Sequence, residues 1–95
     1  MYSEIIAFKI IEDKKFFVKF DNGKSGLFDM EKYINSDFFN ELNDETYFHQ
    51  AYLEFGVITW PKGQDISPST IEMEVVPFDL PKNIQLKYEK PTLVV

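Results

Sequence analysis

Apolar and polar residues alternate from Ile5 to Ile11, placing Ile6, Phe8 and Ile10 on one face and a mixed Ile5, Ala7, Lys9, Ile11 row on the other. That period of two predicts a strand. The Glu12-Asp13-Lys14 cluster makes a turn, and Lys15 to Phe20 forms a second strand. Asn22-Gly23 reads as the two-residue loop of a type I′ hairpin, because both residue types tolerate φ > 0. Such a loop sets a register in which Val18 faces Leu27 and Phe17 faces Phe28. The sheet is then apolar on both faces, and each face expects cover.

The period changes between Asp29 and Gln50. Asp29 is placed to cap a short helix carrying Met30, Tyr33 and Ile34, and Ser36 to open a turn bearing Phe38, Phe39 and Leu42. Asn43 is read as the cap of Asp44 to Gln50, with two acidic residues in the first turn where the macrodipole favours them. Helices this short are marginal alone, so Tyr47 and Phe48 are expected to dock on the sheet. Strand character returns from Tyr52 to Trp60, with Gly56 as a bend or bulge between two short strands. Ser67-Pro68 then starts a helix that runs towards Val76.

Pro77 and Pro81 stop regular structure, and Ile84, Leu86 and Tyr88 alternate with polar residues like an edge strand. The fold class that follows is α+β: a small antiparallel sheet of N-terminal hairpin strands plus a second strand pair, with two or three short helices. Residues 1–76 form one domain and 77–95 a C-terminal extension. A chain of 95 residues holds one modest core. Aromatic bulk compensates, since 10 Phe, 5 Tyr and 1 Trp each bring a large apolar area.

Charge and composition narrow the function classes. The net charge is −6 and all ten basic residues are Lys, so the chain lacks both the excess cation that drives non-specific nucleic-acid binding and the bidentate fork of Arg. No Cys is present, which excludes disulfides, thiolate catalysis and thiolate zinc sites and fits a reducing cytoplasm. No run nears the ~18 apolar residues of a membrane span, and the acidic start does not resemble a signal peptide. A cytoplasmic protein is expected.

Catalytic chemistry has little to stand on. His49 is the single His, so no metal site can be assembled around it, and neither GxSxG nor HExxH occurs. The carboxylate pairs Glu12-Asp13 and Asp44-Glu45 sit in turns or helix starts, and the four glycines are scattered. We therefore expect no catalytic residue, no metal and no cofactor. One constellation could form a site: Trp60-Pro61-Lys62-Gly63 with Asp65, where the indole offers a flat surface, Gly63 close backbone approach and Asp65 an acceptor. The structural alternative has Trp60 filling the core, Gly63 supplying a turn and Asp65 tying down the loop as an Asx turn.

These motifs carry a resemblance. The hairpin Phe20-Asp21-Asn22-Gly23, Gly26 with Asp29, Phe39-Asn40-Glu41-Leu42, Phe48, and the run from Ile58 to Asp65 with Trp60-Pro61, Gly63 and Asp65 are similar, in this order, to the small bacterial family called domain of unknown function 2442. The match covers roughly Ile5 to Ile71. It implies a small α+β domain with an antiparallel sheet and supplies no catalytic residues. Some members of that family carry a helix-turn-helix domain, and others are encoded beside a second small protein and are regarded as antitoxins. This chain has about twenty further residues after the core and no helix-turn-helix.

The expectation is a non-enzymatic protein-interaction module, antitoxin-like, whose partner is a small basic protein or a second copy of the chain. Nucleic acid is not expected to bind to it alone. Phe78, Leu80, Ile84, Leu86 and Tyr88 are candidate contact residues of an arm able to join a sheet edge, whether of its own domain or of a partner. Two alternatives stay open: a regulator that touches nucleic acid through Lys on one sheet face, and a small-ligand binder built on Trp60, Lys62 and Asp65.

Overall fold

The computed structural model describes residues 4–12, 14–78 and 87–88. Three strands, β1 (Ile5–Glu12), β2 (Lys15–Phe20) and β3 (Ser25–Asp29), form an antiparallel meander. Two 3-10 turns follow, Glu31–Tyr33 and Asn40–Asn43, then a one-turn helix α1 (Glu45–Phe48). A second antiparallel sheet is built from β4 (Tyr52–Glu54), β5 (Val57–Thr59) and β6 (Asp65–Ile66) and leads into α2 (Pro68–Glu74). A short β7 (Lys87–Tyr88) pairs with the free edge of β1, Tyr88 opposite Ala7 and Lys87 opposite Phe8. The small α+β architecture is the one the sequence predicts.

The first hairpin differs from its predicted register by one residue. Phe17 lies opposite Leu27 and Phe16 opposite Phe28, not Val18 opposite Leu27 and Phe17 opposite Phe28. The loop has three residues: Phe20 N–H donates to the Lys24 carbonyl at 2.8 Å and Gly23 N–H to the Phe20 carbonyl at 3.1 Å. Gly23 alone takes positive φ (+89°), while Asn22 does not. This is the type I turn plus left-handed glycine that closes three-residue hairpins. Burial decides the choice. A two-residue loop would put Ser25 and Asp29 on the face shared by Phe16, Val18 and Phe20 and turn Phe28 outward; the observed register buries Phe28 and exposes Asp29.

The type I′ turn occurs instead at Phe55-Gly56, between the two short strands expected on either side of Gly56. Glu54 pairs with Val57 across a two-residue loop whose φ values are +53° and +76°. A phenylalanine in the left-handed region costs about 1–2 kcal/mol that an asparagine or glycine would largely avoid. In β1 the strict alternation also fails. The register shifts between Ile5 and Ala7, so Ile5 and Phe8 both enter the core and Ile6 faces out. A bulge of this kind inserts one residue and re-aims the side chains before it.

Local caps set the short helices. Asp44, not Asn43, caps α1: its Oδ1 accepts from Thr46 N at 3.0 Å and Tyr47 N at 3.4 Å, so only Glu45 is left as an acidic residue inside the first turn. Asp29 Oδ1 accepts from Glu31 N at 2.9 Å, and Ser67 caps α2 with Pro68 at the first helical position. Between the sheets lies one core centred on Phe16. Its ring meets Phe48 at 5.4 Å, Trp60 at 6.0 Å, Phe8 at 6.0 Å and Phe28 at 6.3 Å. Leu53, Ile58 and Ile66 close it from the second sheet.

After α2 the chain returns to the free edge of β3. Leu27 and Val76 exchange both backbone bonds at 2.8 Å. Gly26 permits this approach, because a Cβ there would stand 2.2 Å from the Val76 carbonyl oxygen. Phe78 then meets Phe17 on the outer face of the first sheet, ring centroids 6.3 Å apart, and covers it. Leu80, Ile84, Leu86 and the end of the chain lie outside the described residues.

Candidate functional site

The Trp60 to Asp65 loop is a second three-residue hairpin turn with the bonding of the first. Trp60 N–H donates to the Gln64 carbonyl at 2.8 Å, Gly63 N–H donates to the Trp60 carbonyl at 2.9 Å, and Gly63 has φ +102°. The turn delivers Trp60 inward, where it is 0% exposed and packs against Phe16 and Phe48. Its indole N–H is used as well, donating to the Phe48 carbonyl at 2.9 Å. A buried indole needs such a partner.

The rest of the loop is tied to the segment Asn40 to Phe48. Tyr47 Oη accepts from Lys62 N–H at 2.8 Å and donates to Gln64 Oε1 at 2.6 Å. Gln64 Nε2 donates to Glu41 Oε1 at 2.9 Å, and the Lys62 ammonium pairs with the other oxygen of Glu41. The hydrogen bond from Lys62 holds the Glu41 carboxyl below its ordinary value, and the same bond pushes Lys62 up. Both groups are exposed, so the pair contributes little energy by itself and acts mainly to position the loop. Gln64, 5% exposed, thus has both ends of its amide satisfied.

The matching family model spans residues 5–77 and is described as a protein of unknown function, DUF2442. The chain belongs to the DUF2442 family. No curated protein and no solved structure matches it. The DUF2442 match ends at Pro77.

Within this DUF2442 domain the candidate residues do not converge. Trp60 points into the core, Lys62 lies against Glu41 and over the Tyr47 ring at 5.7 Å, and Asp65 sits exposed on β6 opposite Thr59. The loop-bracing task that the sequence assigns to an Asx turn at Asp65 falls to its neighbour Gln64. Phe78 lies on the opposite face of the first sheet from Trp60. Tyr88 is placed by its backbone pairing with Ala7.

Other reactive groups are engaged in the fold. His49 Nδ1 lies 2.9 Å from the Glu45 carbonyl, one turn back, so that nitrogen carries the proton and donates. Tyr33 Oη donates to Glu74, which also pairs with Lys32. The bonds from Lys32 and Tyr33 lower the Glu74 carboxyl, while the bond to Glu74 raises both Lys32 and the Tyr33 phenol. Lys32 and Glu74 border an open concavity of about 720 Å³ beside the β3 edge, with Leu27, Phe28 and Val76 as its apolar lining. Among the described residues no group of three or more His, Asp or Glu is arranged to hold a metal ion, and no helix is long and apolar enough to cross a membrane.

Sequence reasoning misses Glu41, Tyr47 and Gln64 because they act only through contacts 15 to 23 residues apart. It also misses Phe55, whose exposure depends on a turn type that Phe does not signal.

Proposed function

We propose that this DUF2442 protein is a non-enzymatic interaction module, the antitoxin-like half of a two-protein system, which binds a basic protein partner through acidic and apolar surface. The observation that carries this reading is a contrast in how the side chains are used. Trp60, Lys62, Gln64, Tyr47 and Glu41, the groups best suited to hold a ligand, are consumed in bracing one loop, whereas Phe55 and Met73 are 83% and 85% exposed. Large apolar side chains left in water on a chain of net charge −6 suit contact with a cationic partner.

The test is co-expression with the product of the adjacent gene. A stable complex on size exclusion, and relief of growth arrest caused by the neighbour alone, are the expected results. A monomer that forms no complex with that product, or a purified protein that turns over substrate, would reject the reading. One observation favours a second reading: the register places Lys9, Lys15 and Lys19 together on the outer face of the first sheet. Binding to nucleic acid that weakens steeply with salt would support that alternative.

A further inference from the structure

We infer that Phe55 is a docking knob, the aromatic anchor that enters an apolar pocket rimmed by Lys or Arg on a protein partner; this deepens the interaction-module reading and rests on it. Two observations meet at the β4–β5 turn. Phe55 is held at φ +53°, in a turn position where glycine, asparagine or aspartate is at ease, so the residue is unfavourable for the turn itself. Its side chain is 83% exposed and returns almost nothing to the core. A residue that strains the backbone without packing serves neither the turn nor the fold, and contact with another molecule accounts for it.

The surroundings specify the partner's chemistry. Ile5 N–H donates to the Gly56 carbonyl at 3.3 Å, which brings the exposed Ile6 to the same end of the molecule. Glu4 packs its side chain beside Gly56, Asp21 exchanges hydrogen bonds with Glu4, and Glu54 adjoins Phe55 in sequence. Neither Glu4 nor Glu54 is ion-paired to a described residue. An exposed aromatic tip at an end of the molecule that also carries Glu4, Asp21 and Glu54 fits an apolar pocket with a cationic rim, the arrangement in which a buried aromatic anchors and peripheral charge steers association. The backbone of the turn is fixed between paired strands, so binding through Phe55 orders the side chain without ordering a loop.

The test uses the full chain. Phe55→p-benzoylphenylalanine, irradiated in cells of the source organism, should cross-link one protein whose attachment site is an apolar pocket flanked by Lys or Arg, and the same substitution at Phe38 should not. With that protein purified, Phe55→Asn should weaken binding at least tenfold and Phe55→Trp should preserve it. Because asparagine suits the turn, Phe55→Asn should also raise the melting temperature by about 5 °C. A cross-link to a second copy of the chain would overturn the assignment, as would a lowered melting temperature for Phe55→Asn. Unchanged affinity of Phe55→Asn for a partner that still co-purifies would reject the knob and leave the interaction module standing. No cross-link and no co-purifying partner would reject both.

Discussion

Replacing Trp60 with Ala tests whether the most recognisable stretch of this family is core or contact surface. The side chain is fully buried between Phe16 and Phe48, so the substitution removes its transfer free energy and leaves a cavity that the surrounding rings cannot close. For Trp to Ala in such a setting the cost is about 3–5 kcal/mol. The Phe48 carbonyl also loses its indole donor and keeps only the Ala51 N–H at 3.4 Å, so the lost hydrogen bond adds about 0.5–1.5 kcal/mol. A domain of this size has roughly 5–14 kcal/mol of total stability, so the variant should be marginal or unfolded at 37 °C. Trp60→Phe separates the two contributions, since it keeps an aromatic ring and loses the donor. Trp60 is the only Trp, so both variants lose the indole emission that would report unfolding; urea unfolding followed by far-UV circular dichroism is the appropriate assay. An Ala variant with the midpoint of the parent would refute the argument and return Trp60 to the surface.

Gly26→Ala should cost about 1–3 kcal/mol, because its methyl group would displace Val76 and break the two backbone bonds to Leu27; hydrogen exchange at Leu27 N–H should rise with it, and retained protection would count against the close approach. Glu41 and Glu74 have carboxyls held below the ordinary value of 4.5, so their contribution to stability is present above that pH and is lost as pH falls through the lowered native values. Urea midpoints should therefore be flat from pH 7 to 5 and decline only below about 4.5, with Glu41→Gln showing a smaller acid-side decline. Tyr33 has a raised phenol, so its contribution holds below pH 10 and fades as pH climbs past the raised value. Deleting Asn22 leaves Asp-Gly, a good two-residue loop, between the same paired strands. The register should persist, with Phe17 still opposite Leu27 by nuclear Overhauser contacts, and the loss should stay near the 1–2 kcal/mol of the two exposed side-chain bonds of Asn22; a slipped register would refute the claim that burial of Phe28 holds the pairing.

The fold was legible where a pattern repeats over several residues and blurred where one residue decides. Strand positions, the Ser67-Pro68 helix start and the inward Trp60 all follow from alternation and capping chemistry. The first hairpin's register did not, because Asn22-Gly23 signals a turn without stating its length, and the loop adopted is the one that keeps Asp29 in water and Phe28 in the core. That preference was present in the sequence. Comparing the inner faces produced by the two registers, one carrying Asp29 and the other Phe28, would have selected the longer loop. The bulge at Ile6 has no such signature, since Ile5 and Ile6 are equally apolar and only the position of Gly56 fixes which one enters.

The candidate site was legible as a motif and not as a role. Trp60, Pro61, Gly63 and the residue that follows form a closed structural unit: the proline and glycine shape the turn, the turn aims the indole inward, and Gln64, Tyr47 and Glu41 lock the loop to α1 and the 3-10 turn before it. Each of these groups needs the others to be satisfied, which is reason enough for them to occur together without any ligand. What the unit leaves unexplained lies at the far end of β5, where Phe55 holds a positive φ with no packing to offset it. Two non-glycine residues take positive φ in hairpin turns, and they differ in what they gain: Lys14, at φ +62°, is buried and lies over the Phe48 ring, whereas Phe55 stays in water near the Glu4 and Glu54 side of the molecule. Conflict between local preference and observed structure is expected where function constrains the chain, and it places the functional question at the β4–β5 turn instead of at the motif by which the family is recognised.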